Sequence, residues 1–349
     1  MMNSSGKNSH EERMAELNIP GPKEQVIPSA ANLFKALFLF SLLLSSFHAV
    51  HLIVKLLENN TAIHWFEWVI ISAFAIFNGV LMLGMGALAH DAVHKVLFRS
   101  LFWNEFWGGL LSAMTLIPFH ANRQFHLSHH SYAHQPGLDP ENEMHHHSFN
   151  VAAAIGPFIG LYVQYRIFML NALRARTWRM LSRTFKDIIS VAAAGAIYFA
   201  LVPAMGLSLS TTVIPMLLLF PAVFTWRALS DHYGIPATVR TAQKREELTE
   251  SDGEAWHQER LRQRQEVSGW VVITHPWLEW LWSHVNYHEV HHKYPYLSHQ
   301  YLPQVFKATR NRYPYLVVQG YWKSMFNLRQ RKYYAEPADV QQFLAQADS

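Results

Sequence analysis

Three short stretches concentrate imidazole: "HDAVH" at 90–94, "HLSHH" at 126–130 and "HEVHH" at 288–292. Residues three and four apart on a helix share a face. His90 and His94 therefore project together, and each His-x-x-His-His presents its first, fourth and fifth residues within about one turn. Neutral imidazole is the commonest metal-ligating side chain, and the stretches offer eight: His90, His94, His126, His129, His130, His288, His291 and His292. One zinc or iron ion takes about three to six ligands, so eight converging imidazoles suggest two metals. A lone histidine is more often a surface or core residue, and His48, His51, His64, His257 and His275 are read that way. The run His145–His147 is set aside as a place for adventitious metal. His232, in "TWRALSDHYG", is a ninth candidate. Asp231 and Arg227 stand beside it as partners, because ligating imidazoles donate their second N–H to a carboxylate or carbonyl.

The elements that must position these residues are membrane helices. Half of the 349 residues are hydrophobic and 15% are charged, against about 25% in soluble domains. Residues 1–30 are polar, carry no signal-peptide pattern and read as a mobile cytosolic arm. Apolar runs at 33–54 and 68–89 are long enough to cross a hydrocarbon layer of about 30 Å. Two more, at 188–205 and 212–226, are separated only by "GLSLST" and pair as a second hairpin. The stretches 101–119 and 151–172 are apolar but interrupted by Asn104, Glu105, Gln164 and Arg166, and are expected as interfacial helices. The expected fold is thus an all-α integral membrane protein with four transmembrane helices in two hairpins, interfacial helices and a helical cap. Its domain is placed at 31–325, followed by a polar tail at 326–349.

With four spans, every histidine cluster falls on one membrane face. That face carries Lys95, Arg99, Arg123, Arg166, Arg174, Arg176, Arg179, Arg183 and Lys186, whereas the opposite loops hold only Lys55. Positively charged loops stay inside, so the histidine face is expected to be cytoplasmic. The net charge of +4 is modest and follows this topology, giving no sign of a nucleic-acid partner. Absence of cysteine removes disulfides, thiolate metal sites and cysteine nucleophiles.

The order "HDAVH", "HLSHH", "HEVHH" between two pairs of spans resembles the membrane fatty acid desaturase and hydroxylase superfamily with its three histidine boxes. The similarity runs from about residue 68 to 305 and takes in Asn104, Gly108 or Gly109, Arg123, "RALSDHYG" and "NYHEVHHKYP". It implies a non-haem di-iron centre held by the eight box histidines and His232, with O2 as co-substrate and a lipid acyl chain as substrate. In some members an asparagine near the third box meets a metal through water, which makes Asn286 a further candidate. The box spacings resemble acyl-lipid desaturases more than the acyl-CoA type, and the third box begins with histidine where many front-end desaturases have glutamine.

Desaturation and hydroxylation share their first hydrogen abstraction, and the motifs do not separate them. The stretch "HLSHHSYAHQPGLDPEN" resembles carotenoid ring hydroxylases, which gives a carotenoid or other lipid hydroxylase as the alternative. A non-redox metal-binding membrane protein is a third reading, but ligands for transport belong within the spans and these clusters lie outside them. Trp277, Trp280 and Trp282 read chiefly as interfacial anchors. No haem-binding or iron–sulfur motif is present, so an external electron donor of ferredoxin, rubredoxin or cytochrome b5 type is implied. The basic runs Arg174–Lys186 and Arg260–Arg264 could attract an acidic carrier or anionic lipid headgroups. The charged segment 237–268 reads as a solvated helix pair or lid, and the compact architecture points to a bacterial inner membrane.

Overall fold

The computed structural model describes residues 19–58, 64–145, 147–235 and 267–330. The segment 237–266, with Arg260 to Arg264, and the tail beyond 330 lie outside the described residues, as does His146. Long helices dominate, as the apolar runs require. Helices α1 (Ser29–Glu58) and α2 (His64–Val93) form the first hairpin. Helix α3 (Leu101–Met114) leads to α4 (Phe119–Tyr132), and α5 (Phe149–Leu173) precedes α6 (Trp178–Ala196) and α7 (Val213–His232). Five helices are long and apolar enough to cross a membrane: Ser29–Leu57, Trp65–Val93, Phe149–Leu173, Trp178–Ala204 and Val213–His232.

Four of these join the two ends of the bundle. At the histidine end, the start of α1 is tied to the residues after α2, since Asn32 Nδ2 donates to Leu97 O at 2.7 Å and Arg99 N to Ser29 Oγ at 3.1 Å. At the far end the α6–α7 connection reaches α1, with Ser208 N donating to His51 Nδ1 at 3.4 Å. Helix α5 differs because both its ends are held at the histidine end. Tyr233, next to His232, donates to His147 O just before α5 (2.9 Å), and Asn171 near its last turn donates to Gln124 of α4 (2.9 Å). It therefore lies along that end, as the polar interruptions at Gln164 and Arg166 foreshadow.

The second hairpin departs from expectation at its start. Helix α6 begins at Trp178, well before Ile188, and carries Arg179, Arg183 and Lys186 on its own first turns. A charged first turn is compatible with a spanning helix because it emerges from the hydrocarbon, where long cationic side chains reach polar surroundings. The helix continues through a π-helical turn, Ile197–Leu201, to Val202–Ala204. Pro203 explains that turn, since it lacks an N–H and its ring collides with the carbonyl of an α-helical turn below.

The main core is the contact of α1, α2, α3, α6 and α7, with Leu39, Leu81, Met82, Met85 and Leu88 fully buried. Gly108 lets α2 and α3 touch: a Cβ there would stand 2.6–2.7 Å from Phe119 and Ala92. Asn104, interrupting an apolar run, is buried because it braces the loop behind it. Its Oδ1 accepts the amides of Leu97 and Phe98 at 3.1 and 3.2 Å.

A cap follows α7, containing β1 (Trp270–Ile273), α8 (Pro276–Leu281), α9 (His288–Lys293), α10 (Leu302–Thr309), β2 (Leu316–Gln319) and α11 (Tyr321–Leu328). The strands pair in parallel, Trp270 opposite Leu316, the one sheet among the described residues of an otherwise helical chain. Residues 19–28, expected as mobile arm, are fastened to this cap. Ile19 is buried against it, and Gln25 bonds both Tyr296 O and Ser298 N. Helix α11 carries ordered structure through Leu328, past the start expected for the tail.

Candidate metal centre

The nine candidate imidazoles meet where α2, α4, α7 and α9 converge. They form two groups: His90, His94, His126, His130 and His291, and His129, His232, His288 and His292. Within each group the candidate ligand atoms all lie within 4.8 Å of one another. The division cuts through both pentapeptides. On α4, His126 and His130 join the first group while His129 joins the second. On α9 the roles exchange, with His288 and His292 in the second group and His291 in the first. Helical spacing accounts for this, because residues four apart are nearly aligned while the one between them is turned by roughly 100° from its neighbour. Each pentapeptide thus reaches both groups, giving a pair to one and a single imidazole to the other.

The meeting atoms are Nε2. In the first group, His126 Nε2 is 2.9 Å from both His94 and His130, and His130 Nε2 is 3.0 Å from His291. In the second, His232 and His288 approach to 2.7 Å, while His292 stands 3.2 Å from His288 and from His129. Nitrogens bound to a metal at about 2.1 Å stand about 3.0 Å apart at right angles and about 3.4 Å apart in a tetrahedron. His90 Nε2 is buried without a hydrogen-bond partner, although its ring centroid lies 4.3 Å from that of His291. An inward-facing shell of buried imidazole nitrogens with one left over is stabilised by a cation at its centre, so the residues present fit two metal ions.

Electrostatics favour the ligating form. Burial, reinforced by neighbouring imidazoles, holds His126, His130, His288, His291 and His292 well below the ordinary histidine pKa. Burial and Arg123 lower His94 to about 4 against the opposing pull of Asp91. These rings are neutral at pH 7 and present lone pairs.

Outer partners fix the tautomers of two rings. His129 Nδ1 faces Asp139 Oδ2 at 2.9 Å and Glu141 at 3.4 Å. His232 Nδ1 donates to Ser268 O at 2.9 Å, a carbonyl that also accepts from His134 Nε2 at 2.7 Å. Asp139 is itself held by the amides of His134 and Glu141, at 2.7 and 2.9 Å. The loop that returns it to His129 needs left-handed backbone at His134 and Gly137 (φ 64° and 77°). Sequence reasoning gave no role to Asp139, Glu141, His134 or Ser268. The signal was "HQPGLDP", a turn sequence delivering a carboxylate soon after a histidine box.

The partners anticipated from sequence are placed differently. Asp231 forms an ion pair with Arg227, one helical turn away, and stands 3.9 Å from His288 Nδ1. That is beyond hydrogen-bond range. Asn286 braces the loop before the third box, its Nδ2 donating to Val272 O at 2.9 Å and Glu279 Oε1 at 3.1 Å. His145, set aside from sequence, has its ring centroid 6.0 Å from that of His232 and its Nε2 3.7 Å from Glu141. Asp91, beside His90, bonds His299 Nδ1 at 2.5 Å.

A cavity of about 280 Å³, lined mainly by apolar groups, ends on the two groups. Its walls run along α2 from Met82 through Gly86 to His90, and also include His126 and His288. The tryptophans after β1 divide their roles: Trp277 and Trp280 are exposed, whereas Trp282 is buried in the cavity wall, its Nε1 donating to Val80 O at 3.0 Å.

Comparison with known proteins agrees with this geometry. A 72-residue stretch is 29% identical to an sn-1 oleoyl-lipid 12-desaturase of Arthrospira platensis, covering 21% of this chain and 20% of that enzyme. The profile of the family described as fatty acid desaturase matches residues 64–323, about three quarters of the chain and all nine histidines. On that match, the chain belongs to the fatty acid desaturase family.

Proposed function

We propose that this protein is an O2-dependent acyl-lipid desaturase whose two iron ions are held by the two histidine groups. His90, His94, His126, His130 and His291 would hold one ion, and His129, His232, His288 and His292 the other. The observation that carries the reading is the apolar cavity that ends on His90, His126 and His288. It brings a methylene chain against both groups along walls that are mainly apolar.

When bound, the iron pair supplies the oxidising power needed to remove hydrogen from an unactivated methylene. In the overall reaction O2 takes two hydrogen atoms from adjacent methylenes, plus two electrons and two protons from outside, and leaves as two waters. The chain's own residues orient this chemistry. Met82, Leu83 and Gly86 fix the depth of the acyl chain, and Asp139 and Ser268 hold the His129 and His232 rings with Nε2 inward. Asp231 and Arg227 balance charge beside His288, and Asn286 secures the third box.

The electrons come from an external ferredoxin, rubredoxin or cytochrome b5-type carrier. The distribution of Lys and Arg supports a cytoplasmic histidine face, and we infer a bacterial inner membrane as the setting. The catalytic domain is proposed at 31–325, with residues 19–28 docked on its cap and α11 running on to Leu328.

The test is metal analysis of detergent-purified protein together with lipid and pigment profiling of expressing cells that supply an electron donor. Two irons per chain and new unsaturated acyl chains are expected. Hydroxylated carotenoids would instead assign the hydroxylase activity. Zinc at one per chain with no lipid change would refute the redox reading.

A further inference from the structure

A second cavity, of about 540 Å³, opens on the outer side of α4 at the histidine end. Its wall includes Lys95, His120, Arg123, Arg179, Arg183 and Asp187. The acids in it are committed. Asp187 accepts the amides of His120 at 2.8 Å and Ala121 at 3.2 Å, and Glu105 pairs with Lys186. Lys95, Arg123, Arg179 and Arg183 have no carboxylate partner among the described residues. Burial and the neighbouring guanidinium groups of Arg183 and Arg179 depress the Arg123 pKa, outweighing Glu105. Four cations gathered from α4, α6 and the turn after α2 repel one another, and a bound anion would relieve that repulsion.

The surroundings specify the anion's carrier. Trp178, Leu181 and Phe185 on α6 and Phe102, Trp103 and Phe106 on α3 are exposed apolar residues that flank, along the same helices, the cavity-lining Arg179, Arg183, Asn104 and Glu105. Aromatic residues of this kind mark the membrane–water boundary, which places the cationic wall at headgroup depth. Leu127, Phe168 and Met180 add apolar wall suited to the first methylenes of acyl chains. A recess of this size admits a headgroup and not the flat face of a protein, and arginine matches phosphate with paired hydrogen bonds.

We propose that this cavity binds the phosphate of an anionic phospholipid, clamped by Arg123, Arg179, Arg183 and Lys95. The bound lipid links α6 to α4 one turn before His126, so it stabilises the helix that carries the second histidine box. The inference rests on membrane placement and not on the desaturase reading.

The test uses the purified full chain in an uncharged detergent, titrated with short-chain phosphatidylglycerol, phosphatidylcholine of the same chain length, and inorganic phosphate. Binding is followed by native mass spectrometry and thermal stability by tryptophan fluorescence. Saturable phosphatidylglycerol binding that raises Tm is expected, with at least tenfold weaker binding of phosphatidylcholine and inorganic phosphate. Arg123→Gln with Arg183→Gln should weaken phosphatidylglycerol binding at least tenfold. The exposed Arg179→Gln, which removes no packing, should weaken it severalfold even if the double variant fails to fold. Arg174→Gln with Arg176→Gln, outside the cavity, should leave binding unchanged. Equal binding of the two lipids, or undiminished binding by folded cavity variants, would overturn the proposal. Equal affinity for inorganic phosphate would reassign the site to a soluble phosphate ligand.

Discussion

Gly86 lies one helical turn before His90, on the wall of the apolar cavity. A Cβ there would meet only Thr115 Cγ2, at 3.7 Å, an ordinary contact. Gly86→Leu therefore fits the backbone and gains about 0.8 kcal/mol of helix propensity, while its side chain extends into the cavity. The cavity continues along α2 to Met82, a further turn of roughly 6 Å. An acyl chain shut out of that turn loses the burial of about four methylenes, at ~0.8 kcal/mol each. The loss of ~3 kcal/mol corresponds to a few hundredfold in kcat/KM if that binding is realised in the transition state. The assay is fatty acid profiling of expressing cells beside Tm in detergent: unsaturated product should fall by this order while Tm holds. Gly84 is the contrast, because a Cβ there would stand 2.9 Å from Leu281 O and 3.3 Å from Leu39. Gly84→Ala should lower stability by about 1–3 kcal/mol. Full turnover with unchanged products in Gly86→Leu would show that the acyl chain does not occupy this cavity.

His129→Ala should abolish turnover and lower bound metal from two per chain to one, with membrane insertion intact; two metals retained would remove His129 from the site. Asp139→Asn, which takes the charge from the His129 Nδ1 partner, should weaken metal affinity by about 10–100-fold, measured by chelator competition. His284 is lowered from 6.5 to about 4 by burial and by His299 and Lys35. The unfolded chain therefore takes up its proton first as pH falls, so this contribution to stability is complete above about 6.5 and lost toward about 4. His284→Asn preserves the left-handed backbone there (φ 51°) and should unfold with a weaker acid dependence than wild type, by about 1–2 kcal/mol across that interval. Identical pH profiles would refute this.

The parts of the fold legible in the sequence are those governed by local pattern. Length and apolarity locate α1, α2 and the second hairpin, because crossing a bilayer is a one-dimensional requirement. Helix α6 begins at Trp178, ahead of the apolar run at 188–205, because Arg179, Arg183 and Lys186 mark only where it leaves the membrane. Helix α5 satisfies the length and apolarity of a span, yet its ends are tied to Tyr233 and Gln124. The polar interruptions at Gln164 and Arg166 point to its interfacial placement, whereas the tying contacts themselves are encoded by no local property of residues 149–173.

For the site, the sequence by itself determined which imidazoles are available and that helical spacing points several of them the same way. It also determined, through the order of apolar runs, that all arrive at one membrane face. Tertiary structure decided their allocation, with His129 and His291 each crossing to the group opposite their own helix neighbours. It also decided that Asp139 returns to His129 and that the cavity ends on both groups. The physical reason is that helical periodicity fixes direction relative to a residue's own axis. Which nitrogens share a centre depends on how α2, α4, α7 and α9 pack, a property of long-range contacts that no single stretch carries.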